Sequence, residues 1–188
     1  MNDMQARAYV VNYLKERNIF HQNIRGGSSL LVGLTGLEHC PGELLESSFD
    51  FYQTCLEARV YFGESVSRWL TEKTDRWPQL YRLLNYINAK YWPFSDDWAG
   101  GSLYSPSCLV TPRFCLTEGG DERDLMAIMA VSYDLFELAP LEVCDYITAT
   151  LPACINEDLS FPLISVLLGI MNDEEAISMI GANQRYRL

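Results

Sequence analysis

The chain has 188 residues, 48% of them hydrophobic and 12% aromatic, and its 14 basic and 25 acidic residues give a net charge of −11. A chain of this length and apolar content can fold around its own core without a metal or a disulfide. The acidity argues against nucleic acid or an anionic membrane surface as a partner, and suits a basic or an apolar one.

The N-terminal sequence has no basic stretch followed by an apolar one, so it does not resemble a secretory signal. No apolar run approaches the roughly 20 residues of a membrane span. The six cysteines form no C-x-x-C motif, and we expect them to be free thiols. These features predict a cytoplasmic protein.

The first half of the chain predicts one helix and three strands. Residues 3–17 show helical spacing, with Asn2 or Asp3 as the cap. Residues 30–37 are a short apolar run typical of a strand. Residues 47–63 alternate apolar and polar side chains on both sides of a short break, which predicts an antiparallel hairpin with one buried face.

The middle of the chain predicts a second helix and two more strands. We expect residues 64–75 to be a loop with at most a helical turn. A helix then begins near Pro78 and ends before Pro93. Strand candidates follow at 102–105 and 108–117, and Pro112 predicts an edge position or a bulge for the second.

The C-terminal third reads as helical. A third helix is expected from the segment "GGDERDLMAIMAVSYDLFEL", with Asp121 as its N-cap and Pro140 as its end or kink. Three short helices follow, with Ser160 and Asp173 as caps and Gly181 as the final stop.

This order predicts an α+β fold: an antiparallel sheet of about five strands with helices packed on one face, in the order α-β-β-β-α-β-β-α. Residues 1–140 form the α+β domain. Residues 141–188 are a helical C-terminal extension, and its apolar stripes must pack on that domain or on a dimer partner.

Three stretches carry a family resemblance: "ARAYVVNYLKERNI", "FDFYQTCLEARVYF" and "LLNYINAKYWPF". Together they resemble the YbjN-like family, whose fold is similar to that of type III secretion chaperones, over roughly residues 4–140. The resemblance implies a chaperone-like or regulatory protein that binds another protein, and it implies no catalytic chemistry.

Asn85 and Asn88 lie within the third of these stretches. On a helical wheel Asn88 lies at the edge of the apolar stripe, and Asn85 lies further from it. An amide at that edge can bond to the backbone of a neighbouring strand or loop. We therefore interpret Asn88 as structural, with a ligand-binding role as the alternative.

Residues suited to catalysis or metal binding are scattered. His39 and Cys40 are adjacent on a turn, and nucleophile–base pairs are normally assembled from distant segments. Two histidines without matching cysteine spacing do not make a zinc site. The acidic residues around 96–97 and 118–122 match no calcium loop. We assign no catalytic, cofactor-binding or metal-binding residue.

Trp69, Trp92 and Trp98 are the candidate partner-binding residues, because tryptophan is enriched at interface hot spots; core packing is the alternative. The expected function is a non-enzymatic, cytoplasmic protein-binding module that holds a protein partner of unidentified sequence, with a homodimer as an option. The alternatives are a sensory or regulatory accessory protein and, behind it, an enzyme of unrecognised type.

Overall fold

The computed structural model describes residues 1–91, 110–117 and 123–185. Within them, six antiparallel strands form one sheet in the spatial order β1-β2-β3-β4-β6-β5. The strands are β1 His21–Ile24, β2 Ser29–Thr35, β3 Leu44–Phe51, β4 Cys55–Phe62, β5 Arg113–Leu116 and β6 Leu125–Ser132. The helices are α1 Asp3–Glu16, α2 Glu64–Glu72, α3 Trp77–Lys90, α4 Tyr133–Leu138, α5 Pro140–Leu168 and α6 Asp173–Arg185. The predicted α+β class is confirmed.

The predicted hairpin is the centre of the sheet. Strands β3 and β4 pair in register, with Phe49 opposite Ala58 and Ser48 opposite Arg59. Because side chains alternate between the faces of a strand, most apolar residues of both strands fall on one face, the helix face, where the helices pack and Ser47 is also buried. The charged residues fall on the opposite face, which we call the open face, with Ser48 and Tyr61 beside them: Glu46, Asp50, Glu57 and Arg59.

The prediction of a helix through residues 125–132 is wrong. This segment is β6, which lies between β4 and β5. Its alternation is hidden in the sequence because both faces carry apolar side chains, such as Ala127 on the helix face and Ile128 on the open face. A helix does follow, but it begins at Tyr133, and Ser132 accepts the N–H of Leu135 as its cap. The predicted cap, Asp121, lies outside the described residues.

Two further elements differ from expectation. Residues 64–72 form the regular helix α2, which buries Val66 and Leu70, and not a loop. Strand β1 was not predicted, because its four residues carry no clear alternation. The strand expected at 102–105 lies outside the described residues. Pro112 precedes β5, which is an edge strand of the sheet that the described residues form, as predicted.

The first two of the three short helices expected at the C-terminus are one continuous helix, α5. It contains two π-helical segments, Tyr146–Thr150 and Ile155–Leu159. Each lies just before a proline, Pro152 or Pro162. In a regular helix a proline ring clashes with the carbonyl of the residue four positions earlier. For each of these two prolines, that carbonyl belongs to a residue within one of the wider π segments. The widening therefore lets α5 pass the prolines without a break, and Ser160 lies inside the helix rather than capping it.

The last helix begins and ends elsewhere than predicted. Asn172 is its cap, since it exchanges hydrogen bonds with Glu175, while Asp173 forms a two-pronged ion pair with Arg82 of α3 at 2.8 and 2.9 Å. The helix passes through Gly181, where a Cβ would lie 3.0 Å from the Tyr86 hydroxyl. Gly181 thus allows α6 to approach α3 closely rather than stopping the helix.

The C-terminal helices pack on the rest of the chain. Their buried side chains, such as Leu163 and Ile180, belong to the same hydrophobic cluster as Val10 of α1 and Leu83 of α3. By length and composition α5 could cross a membrane, but 72% of its most apolar 18-residue window is buried inside the protein. That is the arrangement of a core helix in a compact α+β domain.

Candidate functional site

A groove of about 360 Å³ runs along the open face toward the start of α2. We call it the open-face groove and define it by Glu46, Ser48, Asp50, Arg59, Ser67 and Asp124. The strands supply the first four of these residues, at alternating positions that point away from the helices. The last two come from α2 and from the residue just before β6, so the groove lies where β3, β4, α2 and the start of β6 meet.

Asp50 anchors the wall of the groove near β2. It is 3% exposed and accepts a hydrogen bond from the Ser29 hydroxyl, with the Ser48 hydroxyl at 3.5 Å. The Arg59 guanidinium lies 3.9 Å from it and also pairs with Glu57. A buried carboxylate needs such partners. This network fixes Arg59 in place and neutralises its charge locally.

The opposite wall is acidic, and the described residues that form it include no lysine or arginine. Asp124 accepts a hydrogen bond from Ser67 at 2.8 Å and donates its own N–H to Thr117 at 3.0 Å. Burial, and then the charge of Asp124, raise the pKa of Glu46. With Asp50 and Glu64, four carboxylates and one guanidinium line the groove, so its field favours a cation.

A second cleft, of about 420 Å³, is more apolar and lies between the α1–β1 connection and α5. Its lining includes Ile19, Leu34 and Pro152, and the 68% exposed ring of Phe20 lies at its side, against Gly33. It carries no ionisable side chain, and it offers shape and apolar surface only.

Of the three predicted partner-binding tryptophans, the described residues include Trp69, which does not line the open-face groove. Trp69 on α2 is half-buried against the hydrophobic core. Trp92 and Trp98 lie outside the described residues. The aromatic neighbour Trp77 packs within the fold: its indole N–H donates to the Leu70 carbonyl, and the Arg123 guanidinium lies 4.6 Å above its ring. The role of the three tryptophans in partner binding stays a prediction.

The turn that contains His39 and Cys40 is held on α5. The His39 N–H donates to Asn156 at 2.9 Å, and Ser160 donates to the His39 carbonyl. Cys40 is buried, and burial raises the pKa of its thiol to about 11. A nucleophilic cysteine needs the opposite, a thiolate near neutral pH. Within the described residues no group of three or more metal-ligating side chains comes together.

Asn88 has the structural contacts that its position predicts. Its amide nitrogen donates to the Phe114 carbonyl at 2.8 Å, and its oxygen accepts the Phe114 N–H at 2.7 Å. The amide therefore joins α3 to β5. Asn85 is exposed on the same helix.

The open-face groove was not predicted, although part of its signal is present in the sequence. Residues 46–61 alternate so that every charged residue of the hairpin falls on one face. On its own, that pattern predicts only a face of the sheet that is exposed to solvent. The contributions of Ser67 and Asp124 could not be predicted, because the first belongs to a helix predicted as a loop and the second directly precedes a strand predicted as a helix.

Comparison with protein-family models, with curated proteins and with solved structures gave no significant match.

Proposed function

We propose that this protein is a non-enzymatic, cytoplasmic protein-binding module and that it holds a basic segment of its partner in the open-face groove. The observation that carries the proposal is the charge of the groove. Among the described lining residues, Glu46, Asp50, Glu64 and Asp124 stand against one guanidinium, that of Arg59, which already pairs with Glu57. The resemblance to YbjN-like proteins and type III secretion chaperones supports a protein as the ligand.

The groove suits an extended peptide. Its floor is formed by adjacent antiparallel strands, whose open-face side chains repeat every second residue. Glu46 on β3 and Asp124 directly before β6 lie on either side of β4, and the lysine or arginine side chains of a bound segment would pair with them. Apolar contact is available from Tyr61 and Met126, which also line the groove.

The raised pKa of the Glu46 carboxyl supports a binding role. Its carboxylate is held in a partly buried place beside a second carboxylate, and both effects raise its pKa. Titratable groups held at such a cost are concentrated at functional sites. A bound ammonium or guanidinium group would offset both the burial and the repulsion.

Catalysis is a weaker candidate. The buried Cys40 thiol has a raised pKa, and the described lining of the groove has no cysteine, histidine or lysine. The Ser67 hydroxyl pairs there with the Asp124 carboxylate alone, without the imidazole or amine base that usually activates a serine. A sensory or regulatory accessory protein remains the second candidate, and it would use the same groove without chaperone activity.

The test is a binding titration with three synthetic peptides of equal length, in which threonine alternates with lysine, glutamine or glutamate. We expect the lysine peptide to bind most tightly and its affinity to fall as salt is added. Glu46→Gln and Asp124→Asn should each weaken binding by about two- to fivefold, the effect of a partly exposed charge pair.

The matched control is Glu174→Gln, which removes one exposed carboxylate from α6, away from the groove. It should leave the affinity unchanged. Equal losses from Glu174→Gln and Glu46→Gln would show that only the net charge matters. Equal binding of the three peptides would contradict the basic-segment proposal.

A further inference from the structure

The outer edge of β5 is closed to neighbouring strands. In this strand Arg113 lies opposite Ile128 of β6 and Cys115 lies opposite Met126, and the Thr117 N–H continues the ladder by donating to the Asp124 carbonyl at 2.9 Å. Hydrogen-bonded and non-hydrogen-bonded positions alternate in an antiparallel pair. The backbone groups of the intervening residues, Pro112, Phe114 and Leu116, therefore point away from the sheet.

Asn88 occupies the central one of these outward positions. Its side-chain amide makes two hydrogen bonds with the backbone of Phe114, one to the N–H and one to the carbonyl, at 2.7 and 2.8 Å. This is the same exchange of two bonds that an incoming antiparallel strand would make there. The amide thus takes the place of a strand residue.

Pro112 disables the next outward position. A proline has no N–H, so it cannot donate to an added strand, and such residues are confined to edges for that reason. Of the three outward positions, one lacks its donor and another has both groups bonded by Asn88. Unprotected edge strands template pairing with other chains.

We propose that Asn88 and Pro112 together prevent strand addition at β5 and so suppress association of this chain with a second copy through that edge. A second copy is the relevant occupant, because two identical edges can pair about a two-fold axis and satisfy each other. The inference does not depend on the open-face groove. By closing the β5 edge, Asn88 and Pro112 leave other surfaces of the protein for partner binding.

The experiment compares Asn88→Ala with Asn88→Asp and with the control Asn85→Ala. Hydrogen exchange at the Phe114 amide and sedimentation equilibrium of the whole chain are measured for each. In Asn88→Ala we expect Phe114 to exchange on the order of tenfold faster, as after the loss of a hydrogen bond, and self-association to rise above wild type. Asn88→Asp keeps an acceptor for the Phe114 N–H but turns a second carboxylate oxygen toward the Phe114 carbonyl, so its exchange should lie between that of Asn88→Ala and that of wild type. Asn85→Ala should match wild type in both measurements.

Unchanged exchange and unchanged self-association in Asn88→Ala would overturn the proposal, as would an equal rise in Asn85→Ala. Exchange of the β3 and β4 amides reports whether each variant is folded. If Asn88→Ala does not fold, Pro112→Ala decides the question, because it restores an outward N–H without touching Asn88. The proposal predicts increased self-association in that variant, and no increase would overturn it.

Discussion

Glu46 shows at the scale of one residue how a partly buried carboxylate costs stability. Burial first, and then the neighbouring Asp124, raise the pKa of this carboxyl above its ordinary value of 4.5. An acid with a raised pKa in the folded state favours folding only when protonated. The benefit is complete below the unfolded value and is lost as the pH rises through the folded one.

Glu46→Gln should therefore stabilise the protein at pH 7, where the wild-type carboxylate is charged, and should have little effect at pH 3.5, where the carboxyl is protonated. The measurement is the urea midpoint of both proteins at the two pH values. A lower midpoint for Glu46→Gln at pH 7 would show that a partner within the fold already satisfies the charge, which would remove the energetic argument for a ligand.

At the scale of elements, the end of α5 is determined by Gly169. This residue has φ +73° and closes the helix with the two backward hydrogen bonds of a Schellman motif, from Gly169 to Val166 and from Ile170 to Ser165. A Cβ there would lie 2.6 Å from the guanidinium of Arg76. A cation at this position also interacts favourably with the C-terminal end of the helix.

Gly169→Ala should reduce the free energy of unfolding by about 1–2 kcal/mol for the left-handed backbone, and by a further ~0.3–1 kcal/mol because Arg76 is displaced from the helix end. Gly36→Ala is the matched control: its φ is +80°, and a Cβ would meet nothing within 4 Å. Urea unfolding should show the larger loss for Gly169→Ala, and the difference should vanish in an Arg76→Ala background. Equal losses with Arg76 present would show that the guanidinium contributes nothing at this helix end.

The elements that could be predicted are those with a clear period. The hairpin of β3 and β4 was predicted from its alternation, and α3 from its apolar stripe and Pro78. The errors have a common cause. The segment that forms β6 is apolar on both faces, and α5 passes two prolines by means of π segments, so in each case tertiary packing overrides the local signal.

At the scale of the whole molecule, the two faces of the sheet differ in composition and in burial. Its helix face buries the core together with the C-terminal helices, and its open face gathers carboxylates from β3, the start of α2 and the start of β6. The groove could not be read from the sequence because its walls come from elements about 60 residues apart, such as Ser67 and Asp124. Only the pairing of β4 with β6 brings them together.

The most direct test of the central proposal is an NMR titration of the ¹⁵N-labelled chain with the lysine–threonine peptide at low salt. If a basic segment binds in the open-face groove, the amide shifts should change along the open face of β3 and β4 and around Ser67 and Asp124. Glu46→Gln should reduce these changes. Shift changes confined to the apolar cleft near Phe20 and Pro152, or none on the open face at saturating peptide, would contradict it.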